Sequence, residues 1–475
     1  MSSTFSTHTS SYGTPLSPVS NLQHDYPSPS LPYVASSQAE QLAACPAATA
    51  AATRIIAAAG QIASIVQKPF LFMSDASMVY TLPACLRLIE HLHIVEILRD
   101  AEDDRQRLLS ELRIIAELQG SANSSPLAHP LRLLSTHHIL RETAPDTFAL
   151  TRVASLLDSG KSVADVFAQY KKYEDTSGIA AFVGMCTDEL FKSAAYLTEA
   201  FTGTDRRSAG SGPDPEPLPA FNLAFNTPVP FFECGRELHK SFRLERFSQA
   251  MIGTSGWEAS GAILTGFDWL SLPRGSTIVD VGGGIGSTTM ILARAFGGSS
   301  GRRGSFRFII QDRPVVVGLG LDAWRAQCPE MLESGQVVFY DLNRHPAVYL
   351  LRVVLHDWPD ARARHVLLNL RLGSSPETRL IIADHVLPLA CWTLDSVLAH
   401  LEGAHGTLAP VPLLPNLGKA SATPFSMDIV MHIIFNGKER TLREFCALTL
   451  SSGWRVARVT YSKGSHFGHL VCEPV

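Results

Sequence analysis

The sequence lacks the cysteine pattern of a metal site or a disulfide framework. Its eight cysteines are scattered through 475 residues, without a C-x-x-C pair or a regular paired spacing. Zinc sites and disulfide-rich domains depend on such spacings. We therefore expect reduced thiols in a cytoplasmic protein, and no bound metal.

Long apolar runs and blocks of one charge are also missing. No uninterrupted apolar stretch reaches the ~18 to 20 residues that a membrane span needs, and the N-terminus has no apolar signal-peptide core. The 40 Lys and Arg against 44 Asp and Glu give a net charge of -4, without a basic block. We expect neither a membrane nor a nucleic acid as partner.

The first half of the chain predicts a tail and a mostly helical region. Residues 1–45 are rich in Ser, Thr and Pro and predict a disordered tail. Residues 46–165 predict helices, and near Ala144 a helix gives way to two short β-like segments, which is typical of a winged helix. Winged helices often bind DNA, but this one is not notably basic, so protein–protein packing is the better interpretation.

The second half predicts an α/β domain. Residues 166–245 predict a helical linker with a flexible loop at 202–219. Over 246–475, β-rich runs with few polar interruptions alternate with helical runs, which suits strands buried on both faces of a parallel sheet. We predict a Rossmann-like domain whose parallel sheet ends in an antiparallel last strand.

A glycine-rich turn, "VDVGGGIGS", follows the first strand of this domain and precedes a helix. Such a turn lets a ligand approach the backbone closely. The dinucleotide pattern G-x-G-x-x-G fails whether it starts at Gly282 or at Gly284, because its third glycine is Ser287 or Thr289. A plain strand-to-helix turn would need only one or two glycines, so a ligand other than a dinucleotide is favoured.

Acidic residues end the next two strands. Asp312 can accept hydrogen bonds from ribose hydroxyls, and Asp341 can reach an adenine amino group. Either acid alone could be a helix N-cap. Together, beside a glycine turn that lacks a good pyrophosphate cradle, they predict a nucleoside pocket, and S-adenosylmethionine fits it.

A histidine follows the fourth strand in "VVLHDWPD". His356 could simply end that strand, with Asp357 capping the next helix. Asp384, at the end of the neighbouring fifth strand, could instead hold the imidazole in one tautomer, and Glu439 is a second candidate. A phenol of pKa near 10 is ionised to only about one part in a thousand at pH 7, so a base there would assist methyl transfer to oxygen by about 10² to 10⁴.

These motifs resemble a known family. "VDVGGGIGS", "YLLRVVLHDWPD", "IIADHVLP" and "DIVMHIIFNGKERTLREF" occur in the order seen in S-adenosylmethionine-dependent O-methyltransferases related to caffeic acid O-methyltransferase, and look most like the fungal secondary-metabolite branch. The resemblance covers roughly residues 70 to 475. It implies that His356 is the proton acceptor, flanked by Asp384 and Glu439.

The resemblance also implies partners for the donor and for the chain. It makes the N-terminal winged-helix region a homodimerisation domain. In such dimers each subunit lends residues to the other's pocket. The donor contacts that it implies are Gly282, Gly283, Asp312, Asp341, Leu342 and Arg352.

Three functional interpretations follow, and the weakly acidic composition argues against one of them, a winged-helix DNA-binding regulator. The first is a homodimeric O-methyltransferase that acts on a hydroxyl of a small aromatic or polyketide-type acceptor, with His356 as base and Met431 and Asn436 near the acceptor. The second is a catalytically silent dimeric binding module. Its support is the segment from Asp341 to Arg352, which spans 11 positions (352 minus 341) and is shorter than in most fungal members.

Overall fold

The computed structural model describes most of the chain. The described residues are 26–102, 125–168, 172–203, 208–209, 216–233, 241–258, 261–297, 305–339, 345–391, 398–404, 409–462 and 467–475. The tail before residue 26 and the residues Asp341 and Leu342 therefore lie outside them.

The strands form one large sheet and two small ones. In chain order they are β1 (Leu140–Ala144), β2 (Thr147–Leu150), β3 (Ser208–Ala209), β4 (Glu216–Pro217), β5 (Thr277–Val281), β6 (Arg307–Gln311), β7 (Val337–Phe339), β8 (Val348–Arg352), β9 (Arg379–Leu387), β10 (Arg440–Thr441), β11 (Trp454–Tyr461) and β12 (Phe467–Pro474). The large sheet has the order β11-β12-β9-β8-β5-β6-β7, and β10 pairs with β9. Strands β1 with β2, and β3 with β4, form separate pairs.

The helices flank these sheets. In chain order they are α1 (Gln38–Ala43), α2 (Pro46–Val66), α3 (Pro69–Met78), α4 (Thr81–His91), α5 (Ile94–Glu102), α6 (Ser125–Thr136), α7 (Val163–Ala168), α8 (Ile179–Met185), α9 (Phe191–Ala194), α10 (Leu197–Thr202), α11 (Ala220–Ala224), α12 (Ser241–Gly253), α13 (Ile263–Gly266), α14 (Ser287–Phe296), α15 (Pro314–Gln327), α16 (Pro329–Glu333), α17 (Asp360–Leu372), α18 (Ala422–Phe435) and α19 (Leu442–Leu450).

The large sheet confirms the predicted α/β fold. Strands β5, β6, β7, β8 and β9 are mutually parallel where they pair, and β12 lies antiparallel between β9 and β11. The strand β9 is buried along seven of its nine residues. Continuous burial of this kind is what an apolar run predicts for a central parallel strand. The carboxyl ends of β5, β6 and β8 consequently share one edge of the sheet, and the candidate site lies there.

The N-terminal region contains the predicted helix followed by a β-hairpin. After α6, β1 and β2 pair in an antiparallel register that joins Leu140 to Leu150. Asp146 turns the chain between them with a positive φ of 59°. Buried side chains such as Ile94, Leu134 and Phe148 form a separate apolar core beneath this hairpin.

The helix α2 corrects one expectation. It is 21 residues long and, by length and composition, apolar enough to cross a membrane. Counting uninterrupted apolar residues misses it, because Thr, Gly, Gln and Ser punctuate its Ala- and Ile-rich sequence. One helix of this kind is weak evidence for a membrane span, but the surface it leaves exposed needs a partner.

Candidate active site

The glycine turn between β5 and α14 allows other atoms to approach its backbone closely. Gly282, Gly284 and Gly286 all have positive φ, which side chains rarely adopt. A Cβ on Gly286 would collide with Ile310 and Trp324, whereas a Cβ on Gly284 would meet no atom of the described residues within 4 Å. The turn is therefore packed tightly against the sheet at one end and faces open space in its middle.

A buried aspartate packs directly against this turn. Asp280 is almost fully buried, and its Oδ2 accepts a hydrogen bond from Thr289 Oγ1 at 2.6 Å. Burial raises the pKa of Asp280 to about 6. A Cβ on Gly283 would collide with this carboxyl group, so the turn rests directly on it. Sequence reasoning missed Asp280, although it stands inside the motif "VDVGGG".

Asp312 lies beside the glycine turn, at the end of β6. Its Oδ2 accepts from the backbone N of Gly284 at 2.8 Å, and its Oδ1 accepts from the N of Arg313 at 2.7 Å. Each carboxylate oxygen can still accept a further bond, and the side chain is only partly buried. The structure thus brings together the glycines and the first acid of the predicted nucleoside pocket. Asp341 and Leu342, the other predicted contacts, lie outside the described residues.

Arg352, the last residue of β8, is tied to two residues that sequence reasoning missed. Its Nε donates to Glu258 Oε2 at 3.1 Å. The other oxygen of Glu258 lies 2.9 Å from Nε2 of the buried His469 on β12. Burial alone would raise the pKa of Glu258, but its contacts with His469 and Arg352 outweigh burial and lower it. No local motif marks Glu258, because only the fold brings it to β8 and β12.

His356 lies beyond the strand end where it was expected. The strand β8 stops at Arg352, and His356 belongs to a 3-10 turn, Leu355–Asp357, that follows it. The predicted helix start at Asp357 is wrong, because α17 begins at Asp360 with Pro359 in the N-cap position. Asp357 remains in the turn, where its Oδ1 lies 3.6 Å from Nε2 of His356.

The structure brings His356, Asp384 and Glu439 together. The ring of His356 is 5% exposed, and its Nδ1 lies 2.8 Å from Glu439 Oε1, within hydrogen-bonding distance. Asp384 Oδ1 lies 3.8 Å from the same nitrogen. With Nδ1 committed to Glu439, Nε2 is the ring atom that an acceptor can use.

The surrounding acids change the basicity of His356. Burial alone would lower its pKa, but the charges of Glu439 and then Asp384 outweigh burial and raise it to about 10. Because this folded-state pKa lies above the ordinary 6.5, the protonated ring stabilises the fold below about pH 6.5. That stabilisation is lost as the pH rises through about 10.

Three oxygens of this cluster have no hydrogen-bond partner among the described residues. They are both carboxylate oxygens of Asp384 and Oε2 of Glu439. Burial raises the pKa of Asp384, the charge of His356 opposes this rise, and the charge of Glu439 adds to it. Ligand atoms of the three residues lie within 4.8 Å of one another and could also hold a metal ion. The direct contact of Nδ1 with Oε1 already uses two of these atoms, so a shared proton fits better.

The segment that carries Glu439 packs around the 3-10 turn Leu355–Asp357, which we call the histidine turn. Asn436 follows the last residue of α18, and its φ of 55° changes the direction of the chain. A Cβ on Gly437 would collide with the carbonyl oxygen of His356, and the N of Lys438 donates to that oxygen at 3.0 Å. The N of Glu439 donates to Asp428 Oδ1 at 2.9 Å. These contacts explain why glycine precedes Lys438 and Glu439 in the motif "NGKER": the glycine lets this segment lie against the backbone of His356.

The two predicted acceptor-wall residues have structural contacts of their own. Met431 is buried on α18 among core side chains. Asn436 donates from Nδ2 to the carbonyl oxygen of Pro217 at 2.8 Å. Both lie next to the segment of Glu439, and neither contact by itself assigns a role toward an acceptor.

Known proteins of similar sequence are O-methyltransferases. A family model described as an O-methyltransferase domain matches residues 219–395. An O-methyltransferase of Armillaria gallica is 35% identical over 463 residues, covering 94% of each chain. The 4-O-methyltransferase 1 of Phanerochaete chrysosporium is 34% identical over 440 residues, covering 90% of this chain and 88% of its own.

A solved structure shares the fold. It is CalO1, a methyltransferase in calicheamicin biosynthesis, in a form with bound S-adenosylhomocysteine. The two chains superpose with a TM-score of 0.55 at 22% identity, covering 86% of this chain and 100% of the other. At this identity the likeness concerns the fold alone.

The contact between His356 and Glu439 generates a prediction that does not depend on any activity. Replacing Glu439 with Gln removes the nearest negative charge but keeps the side-chain shape. The pKa of His356 should fall, because the protonated ring loses the charge that stabilises it most. Titration of the histidine ring nitrogens by NMR, with His356→Ala to assign the signal, measures this shift.

Glu473 provides the control. It pairs with Arg455 across β11 and β12, away from the histidine turn. Glu473→Gln should leave the His356 titration in place. An unchanged titration in the Glu439→Gln protein would contradict the geometry described above.

Proposed function

The chain belongs to the family of S-adenosylmethionine-dependent O-methyltransferases, and from this membership we propose that it methylates a hydroxyl of a small aromatic or polyketide-type acceptor, with His356 as general base. The observation that carries the proposal is the buried pairing of His356 with Glu439 at the edge of the sheet that also holds the glycine turn. A silent binding module would not need such a cluster.

The proposed donor site consists of residues at that edge. S-adenosylmethionine would supply an electrophilic methyl group on a positively charged sulfur. Gly282, Gly283 and Asp312 would hold it, since the open face at Gly284 leaves room and the carboxylate of Asp312 can accept further hydrogen bonds. Arg352 would contribute with the N–H groups that Glu258 does not use. The S-adenosylhomocysteine bound to CalO1 supports the choice of ligand.

The proposed mechanism assigns the proton to Nε2 of His356. Glu439 holds the Nδ1 proton and so presents the Nε2 lone pair of the neutral ring to the acceptor hydroxyl. The charges of Glu439 and Asp384 raise the pKa of His356, so the ring must first lose its Nε2 proton to solvent, and the neutral ring is then a stronger base than an ordinary imidazole. The acceptor oxygen gains electron density as its proton passes to Nε2. S-adenosylmethionine held at the glycine turn would supply the methyl group to this oxygen, and it would leave as S-adenosylhomocysteine once its bond from sulfur to that carbon breaks.

Aromatic side chains cluster around Phe435, the last residue of α18. The ring of Phe435, which ends α18, stacks on Phe232 at 4.8 Å between centroids. Phe231 meets the same ring edge-on at 5.7 Å. Phe435 precedes Glu439 by four residues (439 minus 435), and this apolar cluster supports an apolar planar acceptor.

Removing the imidazole tests the base. His356→Ala should reduce turnover by at least about a hundredfold, because the imidazole that takes the proton is gone. Donor affinity should stay nearly unchanged, since the glycine turn and Asp312 are intact. Turnover with labelled donor and a panel of phenols, followed by mass spectrometry, measures the first effect and identifies the acceptor. Turnover equal to that of the unaltered protein would remove His356 from this role.

Removing the carboxylate of Asp312 tests the donor site. Asp312→Ala should weaken binding of S-adenosylmethionine by about tenfold or more, because hydrogen bonds to a charged group are lost. Calorimetric titration measures the affinity. Asp322→Ala is the matched control, since Asp322 is an exposed acid on the helix that follows and pairs with Arg325. Equal donor affinities in the two variants would place the donor elsewhere.

The proposed homodimer explains the exposed N-terminal helices. Only Ala57 is buried in α2, and no residue of α3 is buried. Ile65 is 72% exposed and Phe70 is 79% exposed. Apolar surface of this extent is unfavourable in water, and a second copy of the chain would cover it.

A charge at this surface tests the dimer. Phe70→Glu should convert a dimer into monomers, because a carboxylate cannot be buried there without a partner. Light scattering after size exclusion measures the mass. Leu372→Glu, at the exposed end of α17, should leave the dimer intact. A monomeric unaltered protein, or one that floats with phosphatidylcholine vesicles instead of dimerising, would contradict this assignment.

A further inference from the structure

Arg440 directly follows Glu439 and is one of the few fully buried cations in the described residues. Its side chain is 0% exposed, although arginine is seldom buried without a specific reason. It begins β10, which pairs in parallel with the end of β9, where Arg440 lies opposite Val386. Arg440 therefore lies between the histidine turn and β9, the strand that carries Asp384.

The guanidinium group of Arg440 spans the histidine turn. Its Nη1 donates to the carbonyl oxygen of Leu355 at 2.8 Å, and its Nη2 donates to that of Trp358 at 2.8 Å. These two carbonyl groups stand immediately before and after the pair His356–Asp357. Nε and Nη2 also donate to Asp360 Oδ1, at 3.0 and 2.9 Å, which supplies the opposite charge.

The turn that Arg440 spans starts from an unfavourable backbone conformation. Val353 has a φ of 57°, in the left-handed region that β-branched residues avoid. Such a conformation persists only where surrounding contacts impose it. The N of Val353 donates to Ala383 on β9 at 3.0 Å, and Arg440 fixes the far side of the same turn. The carbonyl of Leu355 also accepts from the N of Trp358 at 3.2 Å, and the guanidinium group ties this carbonyl to that of Trp358 across the turn.

We propose that Arg440 is a positioning residue for the methyl transfer. Its planar guanidinium group holds the histidine turn in place and thereby orients Nε2 of His356 toward the acceptor oxygen. The inference rests on the proposed role of His356. Lysine could not replace it, because an ammonium group does not present N–H donors to two carbonyl groups and a carboxylate in one plane. Displacement of a catalytic group by about 1 Å can cost about a hundredfold in rate, so the expected effect is on turnover.

A double-mutant cycle tests this inference. Arg440→Met should lower kcat by about 10- to 100-fold with little change in donor affinity. In the His356→Ala background the same substitution should have almost no further effect on the residual turnover, because the group that Arg440 aims is gone. A loss of equal size in both backgrounds would overturn the inference.

Two further variants keep the test decisive. Arg371 also donates to backbone carbonyl groups, those of Gly453 and Val475, but at the other end of α17. Arg371→Met should leave kcat unchanged, which controls for a general loss of packing. If Arg440→Met does not fold, Arg440→Lys keeps a charge beside Asp360 and should lower kcat while the melting temperature stays near that of the unaltered protein. Unaltered kcat in Arg440→Lys would overturn the inference.

The outcomes separate this inference from the proposed function. If His356→Ala turns over normally, the base has been misassigned. If His356→Ala is slow but Arg440→Met and Arg440→Lys are not, the base stands and only the role of Arg440 fails.

Discussion

The hydrogen bond between Nδ1 of His356 and Oε1 of Glu439 is the contact on which the candidate site depends. Both groups are buried, and a buried charge is unfavourable unless an opposite charge lies close to it. Each partner therefore stabilises the ionised form of the other. Asp384 adds a second carboxylate at the same nitrogen, so the ring becomes a stronger base than an ordinary histidine. The same contact leaves Nε2 as the only ring atom that can take up a proton from an acceptor.

This contact joins segments that are distant in the chain, and the fold explains how they meet. Parallel strands place the ends of β5, β6 and β8 at one edge, which brings the glycine turn, Asp312 and the histidine turn together. Glu439 does not follow any of these strands; it lies in the segment after α18. Its segment fits because glycine at position 437 lets two backbones come into contact. The site therefore combines a feature common to parallel sheets with one specific packing arrangement.

The sequence predicted the parts of the site that have a local signature. Apolar runs marked the buried strands, and the polar residues after them predicted which side chains lie at the sheet edge, where the structure places Asp312 and His356. Glu258 and Arg440 were not found, because their roles arise only where separate segments meet. The helix start at Asp357 was wrong because a 3-10 turn intervenes, which depends on tertiary contacts rather than on propensity. The helix α2 was expected, but its apolar length was missed because polar residues interrupt an apolar composition.

A crystal structure with S-adenosylhomocysteine and the identified acceptor would test the central claim most directly. The account predicts that the acceptor hydroxyl lies within hydrogen-bonding distance of Nε2 of His356, on the side facing the glycine turn, while Nδ1 still contacts Glu439. An acceptor hydroxyl bound away from this ring, or a ring rotated so that Nδ1 leaves Glu439, would contradict it.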